Sequence, residues 1–251
     1  MFCHAPRRRG IVAPMMTRPD DVNGARGERT SAFFGRRKGR PLRVQQAQAM
    51  ETVLPSLAID LTASATQELG RLFGQRTDIR LEIGFGGGEH LVTQAAHNPD
   101  VGFIGCEGFI NGIAKTVTAV SAAGLDNVRI HAGDAAELIA WLPDAAVSCV
   151  DLLYPDPWPK RRHWKRRFVQ DDSLDRIARV LAPGGCFRFA SDIPDYIAWT
   201  LERVLRNRHF TWMAEKADDW RRPWPGFCRT RYEAKALREG RTPCYLVSTR
   251  K

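Results

Sequence analysis

From Ile79 onward, short apolar runs alternate with stretches of helical period. The runs cover 79–84, 101–106, 127–131, 146–154 and 185–190. Between them Ile110, Ile113, Ala114 and Val117 recur at i, i+3, i+4 and i+7, and Leu174, Ile177, Ala178 and Leu181 repeat the pattern. That spacing lays one apolar stripe along a helix, whereas a short unbroken apolar run suits a strand covered on both faces. Pro183-Gly184-Gly185 predicts a helix end and a turn into the fifth strand. Residues 44–54 predict a further helix, and 244–248 a last, antiparallel strand at the sheet edge. Strands separated by helices imply βαβ units, so the pattern predicts an α/β fold built on a doubly wound, mostly parallel sheet.

The first 43 residues lack this periodicity. They are rich in Arg, Gly and Pro and are expected to form a basic, mostly disordered arm ahead of one domain over 44–251. No apolar stretch of about 7–15 residues follows their charges, which excludes a secretory signal. Pro6, Pro14 and Pro19 would break the amphipathic helix of a mitochondrial presequence. No run approaches the roughly 18 apolar residues of a membrane span. The six cysteines, Cys3, Cys106, Cys149, Cys186, Cys228 and Cys244, are far apart with no C-x-x-C. They read as thiols of a reducing compartment and not as a disulfide or zinc framework, so a cytoplasmic protein without metal is expected.

Net charge is +10, unevenly spread. Residues 1–43 hold 11 basic and 3 acidic side chains, residues 44–159 hold 5 and 14, and residues 221–251 hold 9 and 2. An acidic middle between basic ends points to a site for a small cationic ligand beside surfaces for a polyanion.

The acids of that middle fall where ligands bind in open α/β sheets, just outside the carboxyl ends of the strands. Glu82, Glu107, Asp134, Asp156 and Asp192 each stand at or just after a predicted strand end. One such acid is ordinarily a helix cap or turn former; five in succession describe a rim. The glycine turn Gly84-Phe85-Gly86-Gly87-Gly88 follows the first strand, but a dinucleotide fingerprint begun at Gly84 would need glycine where Glu89 stands. An acidic rim would also repel a pyrophosphate. S-adenosylmethionine carries a sulfonium, an ammonium and ribose hydroxyls that donate to carboxylates, and Glu107 is well spaced for that ribose.

After the fourth strand comes Tyr154-Pro155-Asp156-Pro157-Trp158-Pro159, continued by six cations within residues 160–167. The prolines fix the backbone around Asp156. The cations, interleaved with Trp158 and Trp164, fit phosphate contacts plus a ring for base stacking. Glu82-Ile83-Gly84-Phe85-Gly86 with Gly88, Pro155-Asp156-Pro157-Trp158 with Lys160, and Thr230-Arg231-Tyr232-Glu233 together resemble the bacterial tRNA (guanine-N7)-methyltransferases over about residues 40–251. The resemblance implies a Rossmann-like class I methyltransferase acting on guanosine 46 of the tRNA variable loop. It implies cofactor contacts at Glu82, Gly84, Glu107, Asp134 and Asp156, with Asp156 as the catalytic residue. Substrate contacts are implied at Lys160, Asp192, Thr230, Arg231, Tyr232 and Glu233, and tRNA contacts at Arg162, His163, Trp164, Lys165, Arg166 and Arg167. The Arg-rich arm departs from the family pattern.

Guanine N7 has an in-plane lone pair and no proton, so Asp156 is expected to orient the base and stabilise developing charge, not to abstract a proton. Two other readings stand beside this one. Asp156-Pro157-Trp158-Pro159 partly resembles the turn of exocyclic-amine methyltransferases. A non-enzymatic RNA-binding protein on a methyltransferase fold is the other, and intact acids at all five strand ends speak against it.

Overall fold

The computed structural model describes residues 34–251. Five strands arise where the apolar runs fall: β1 (Ile79–Ile83), β2 (Gly102–Cys106), β3 (Val128–His131), β4 (Val147–Leu153) and β5 (Leu181–Ser191). They are joined by parallel pairing in the order β3-β2-β1-β4-β5. The chain therefore winds outward from β1 on one side and then, from β4, on the other. The reversal opens a crevice at the carboxyl ends of β1 and β4. Helices α1 (Val44–Thr52), α2 (Leu54–Leu57) and α3 (Ala65–Phe73) precede β1. The crossovers are α4 (Glu89–His97), α5 (Ile110–Ala122), α6 (Ala135–Trp141) and α7 (Asp171–Val180). After β5 come α8 (Pro194–Arg206), β6 (Phe210–Trp212), α9 (Asp218–Arg221), α10 (Arg231–Arg238) and β7 (Cys244–Arg250).

The C-terminal strand is antiparallel as the pattern predicts, and it pairs with β5 over Ser191↔Cys244 to Cys186↔Thr249. A three-residue strand outside the pattern, β6, pairs beyond it and takes the outermost place. The helix predicted through Leu181 ends at Val180, and Leu181 instead opens β5 opposite Val147. Pro183-Gly184-Gly185 lies within that strand, where the register jumps from Val147↔Leu181 to Cys149↔Cys186. A Cβ on Gly185 would sit 2.8 Å from the Ala182 carbonyl and 2.9 Å from that of Ser148, so only glycine permits the bulge.

The two sheet faces are covered differently. On one, Leu81, Ile83, Val150, Leu152, Phe187 and Phe189 meet the apolar stripes of α3, α6, α7 and α8. On the other, the residues between them form a row of charge, buried Glu82 beside buried Asp151 and Asp151 beside half-buried Arg188 in register. Arg188 Nε lies 3.2 Å from Asp151 Oδ1, and its guanidinium stacks on Trp224 at 5.2 Å. Pairing keeps this row tolerable so far from water. No helix among the described residues is long and apolar enough to cross a membrane.

Candidate active site

A cavity of about 390 Å³ opens in the crevice. It gathers Gly84, Glu107, Asp134, Asp156, Arg231 and Tyr232, with apolar walls from Ile83, Leu152, Phe109 and Phe168. Gly84 and Gly86 hold φ of +71° and +56°, a region other residues rarely adopt. A Cβ on Gly84 would meet nothing within 4 Å, so its requirement is purely conformational. The Gly86 N–H donates to Glu107 Oε2 at 2.8 Å, and the Gly108 and Phe109 N–H groups donate to Oε1 at 2.9 Å each. Burial pushes the Glu107 carboxyl up from its usual value, against these three donors that favour its charge. The carboxylate is thus fixed in the wall before any ligand arrives. Asp134 caps α6, accepting from the Ala136 N–H at 2.8 Å, while it lines the same cavity.

Asp156 stands at the cavity on a turn whose flanking residues are strained. Tyr154 and Trp158, each followed by proline, hold φ of +51° and +42°, which costs free energy for side chains of their size. The strain places an exposed carboxylate against the cavity, and partial enclosure pushes its carboxyl up from the usual range. Trp158 lines the cavity with Arg166 stacked over its ring at 5.0 Å and His163 edge-on at 5.8 Å.

The basic continuation folds as one 3-10 helix, Arg161–Arg166, and divides by exposure. Lys160, Arg162 and Lys165 are exposed, and Arg166 reaches the cavity. Arg167 does not belong with them. It is fully buried, ion-paired to Asp195, and enclosed by the rings of Trp164, Tyr196 and Trp199 at 4.8, 5.0 and 5.1 Å. The expected RNA contact at Arg167 is corrected: its guanidinium pins the loop to α8. Trp164 forms a wall of that enclosure, edge-on to Trp199 at 5.4 Å.

Of the other expected site residues, Glu82, Asp192, Thr230 and Glu233 lie outside the cavity wall. Glu82 is buried beneath it with Oε2 2.9 Å from His90 Nδ1. Asp192 is ion-paired with Arg241. Thr230 caps α10, its hydroxyl accepting from the Glu233 N–H at 3.2 Å, and Glu233 is buried behind it. Arg231 stacks on Tyr232 at 4.9 Å, and both lie over Gly86, where an added Cβ would meet them at 3.3 Å.

Sequence reasoning missed one wall. Phe34, Gly35 and Arg36 line the cavity, on a strap tied down by α5. The Gly39 N–H donates to Asn111 Oδ1 and Asn111 Nδ2 donates to the Arg40 carbonyl, both at 2.7 Å. The Ile110 N–H donates to the Arg37 carbonyl at 2.9 Å. Residues 1–33 of the expected arm lie outside the described residues.

A family model described as "Putative methyltransferase" matches residues 76–246. A tRNA (guanine-N(7)-)-methyltransferase of Chelativorans sp. (strain BNC1) is 55% identical over 222 residues, 88% of this chain and 96% of the relative. One of Bradyrhizobium diazoefficiens is 53% identical over 233 residues, 92% and 98% of the two chains. This chain belongs to the tRNA (guanine-N(7)-)-methyltransferase family.

Among solved structures, the 16S rRNA methyltransferase KamB superposes with a TM-score of 0.52 at 17% identity, covering 75% of this chain and 95% of the other. The aminoglycoside resistance methyltransferase NpmB1 gives 0.51 at 15%, covering 74% and 93%. At those identities the likeness is one of fold, that of a Rossmann-like methyltransferase.

The donor set of this family member suits S-adenosylmethionine. A carboxylate already oriented by three backbone N–H groups keeps acceptor capacity for ribose hydroxyls. Asp134 and Asp156 add two further carboxylates to the same cavity, and apolar walls flank the space. Among the described residues no cluster of His, Cys, Asp and Glu is arranged to hold a metal ion.

Proposed function

We infer that this chain transfers a methyl group from S-adenosylmethionine to N7 of guanosine in tRNA, in the cytoplasm, at position 46 of the variable loop. The observation that carries the reading is that one cavity joins the cofactor acids Glu107 and Asp134 to Asp156 and to Arg231-Tyr232. Two relatives more than half identical over nearly their whole length bear that activity in their names.

When bound, S-adenosylmethionine supplies an electrophilic methyl on a sulfonium. Glu107 would hold its ribose, and Asp134 and Asp156 would face its cationic half. Guanine N7 loses no proton on methylation, so the chain owes it orientation and compensation for the positive charge that grows on the ring. Asp156 provides both, by accepting from the N–H edge of the base and by its own charge in a partly enclosed place. Lys160, Arg162, Lys165 and Arg166 meet phosphates, and their attraction offsets the few kcal/mol of unstacking the base. Asp192 and Thr230 to Glu233 close around the substrate from the C-terminal side.

The test is incubation with labelled S-adenosylmethionine and unmodified tRNA, followed by borohydride and aniline cleavage. Strand scission at position 46 is expected. Label on an exocyclic amine would replace this reading with the second one, and cofactor binding without transfer would replace it with the third.

A further inference from the structure

Glu233 is 3% exposed, and its two carboxylate oxygens are treated unequally. Oε1 accepts from the Tyr245 hydroxyl at 2.6 Å, with the exposed Arg229 guanidinium at 3.9 Å. Oε2 is buried and has no hydrogen-bond partner among the described residues. A buried acceptor left open is costly, so it is retained where a ligand completes it. Tyr245 is itself held tightly, edge-on to Trp224 and Phe227 at 6.1 and 5.4 Å, on the strand inserted beside β5. Burial and the adjacent Glu233 push its phenol up, so it keeps its proton and remains a donor. Tyr154 packs in the same small cluster as Tyr245, its own hydroxyl buried and without a hydrogen-bond partner among the described residues. Tyr154 lines the cavity and immediately precedes Pro155-Asp156.

We propose that Tyr245 is a positioning residue for methyl transfer: its phenol pins one oxygen of Glu233 and leaves the other unpaired, to be completed by an N–H group of the guanine base. Tyr154, packed against Tyr245 and followed at once by Pro155-Asp156, sets the Asp156 turn relative to this arrangement through ring packing. The inference rests on the reading of Glu233 as a substrate contact.

The experiment compares Tyr245→Phe, Glu233→Gln and the double variant in single-turnover methylation of unmodified tRNA, with cofactor affinity and KM for tRNA measured alongside. Tyr245→Phe is expected to slow the methyl-transfer step about tenfold, the worth of one hydrogen bond to a charged group. Its KM for tRNA and cofactor affinity should stay within about twofold. The double variant should be no slower than Glu233→Gln, because the phenol acts only through that carboxylate. Trp224→Phe, which disturbs the same aromatic packing without touching Glu233, should methylate within about twofold of wild type and so separates packing from the lost donor. A wild-type rate in Tyr245→Phe, multiplying losses in the double variant, or an equal loss in Trp224→Phe would each overturn the proposal. Full activity in Glu233→Gln would instead overturn the substrate reading of Glu233, and the positioning role with it.

Discussion

The guanidinium of Arg167 lies over the ring of Trp164 at 4.8 Å, fully enclosed, five residues along the chain from the exposed Arg162. Two cations of one basic stretch thus do different work: Arg162 faces solvent and Arg167 fastens the loop that carries Trp158 and Arg166 to α8.

Arg167→Ala should therefore behave as a stability variant. It removes a buried cation from three rings and leaves Asp195 unpaired. Because Asp195 is about half exposed, the loss should be on the order of 2–3 kcal/mol, below that of a wholly buried pair. Arg162→Ala and Lys165→Ala should leave the thermal midpoint unchanged and flatten the plot of log tRNA affinity against log salt, by about 0.7–0.9 for each phosphate no longer neutralised. Thermal melts and salt titrations on the three variants separate the roles, and an unchanged slope would make Arg162 and Lys165 ordinary solvated surface.

Asp156→Asn keeps the shape of the side chain but removes its charge and adds a donor that, on the proposed function, would face the N–H edge of the base. Turnover should fall about 10²–10³-fold with little change in tRNA affinity, which phosphates dominate. Since enclosure raises the Asp156 carboxyl from its usual value, wild-type activity should fall away as pH drops through that raised value and stay flat above it. Single-turnover rates across pH decide: a rise of about tenfold per unit through pH 6–8 would signal a proton-transfer step and the exocyclic-amine reaction.

Glu82 and His90 form a buried pair beneath the cavity wall, 2.9 Å apart. Burial raises the Glu82 carboxyl; on His90 burial opposes charge, but Glu82 outweighs it and the imidazole is pushed up. Both shifts mean that the folded chain holds a proton here more firmly than the unfolded one. The His90 contribution is complete below about pH 6.5 and is lost as pH rises through the raised value. The difference in melting temperature between wild type and His90→Gln should shrink from pH 6 to pH 8.5. A difference constant over that range would show that the pair carries no folding-linked proton.

Asn111 ties both sides of the strap, accepting from Gly39 and donating to Arg40. Asn111→Ala removes two hydrogen bonds worth about 1 kcal/mol each and frees Phe34 and Arg36 from the cavity wall. Cofactor affinity should weaken about five- to twentyfold while the thermal midpoint of the domain barely moves. Calorimetric titration with S-adenosylmethionine tests this; unchanged affinity would make the strap a bystander.

Read alone, the sequence determined the five parallel strands, the helices between them and the acidic strand ends, because each is written in a local period or a local turn. Glu107, Asp134 and Asp156 converge on one cavity since parallel strands bring their carboxyl ends together whatever the details of packing. The pattern could not show that β7 inserts between β5 and β6, because three residues at Phe210–Trp212 are too short to carry a period. Nor could it separate Arg167 from Arg162. Both are arginines in one basic run, and only the arrival of Asp195, Tyr196 and Trp199 from α8 withdraws one from water. The same holds for the strap: Gly39 and Asn111 meet across 72 positions of sequence, and no local rule announces a hydrogen bond between a glycine N–H and a distant amide. What the tertiary structure decided was which of several chemically equal side chains found a partner, since burial and pairing depend on residues brought near by folding and not on those adjacent in the chain.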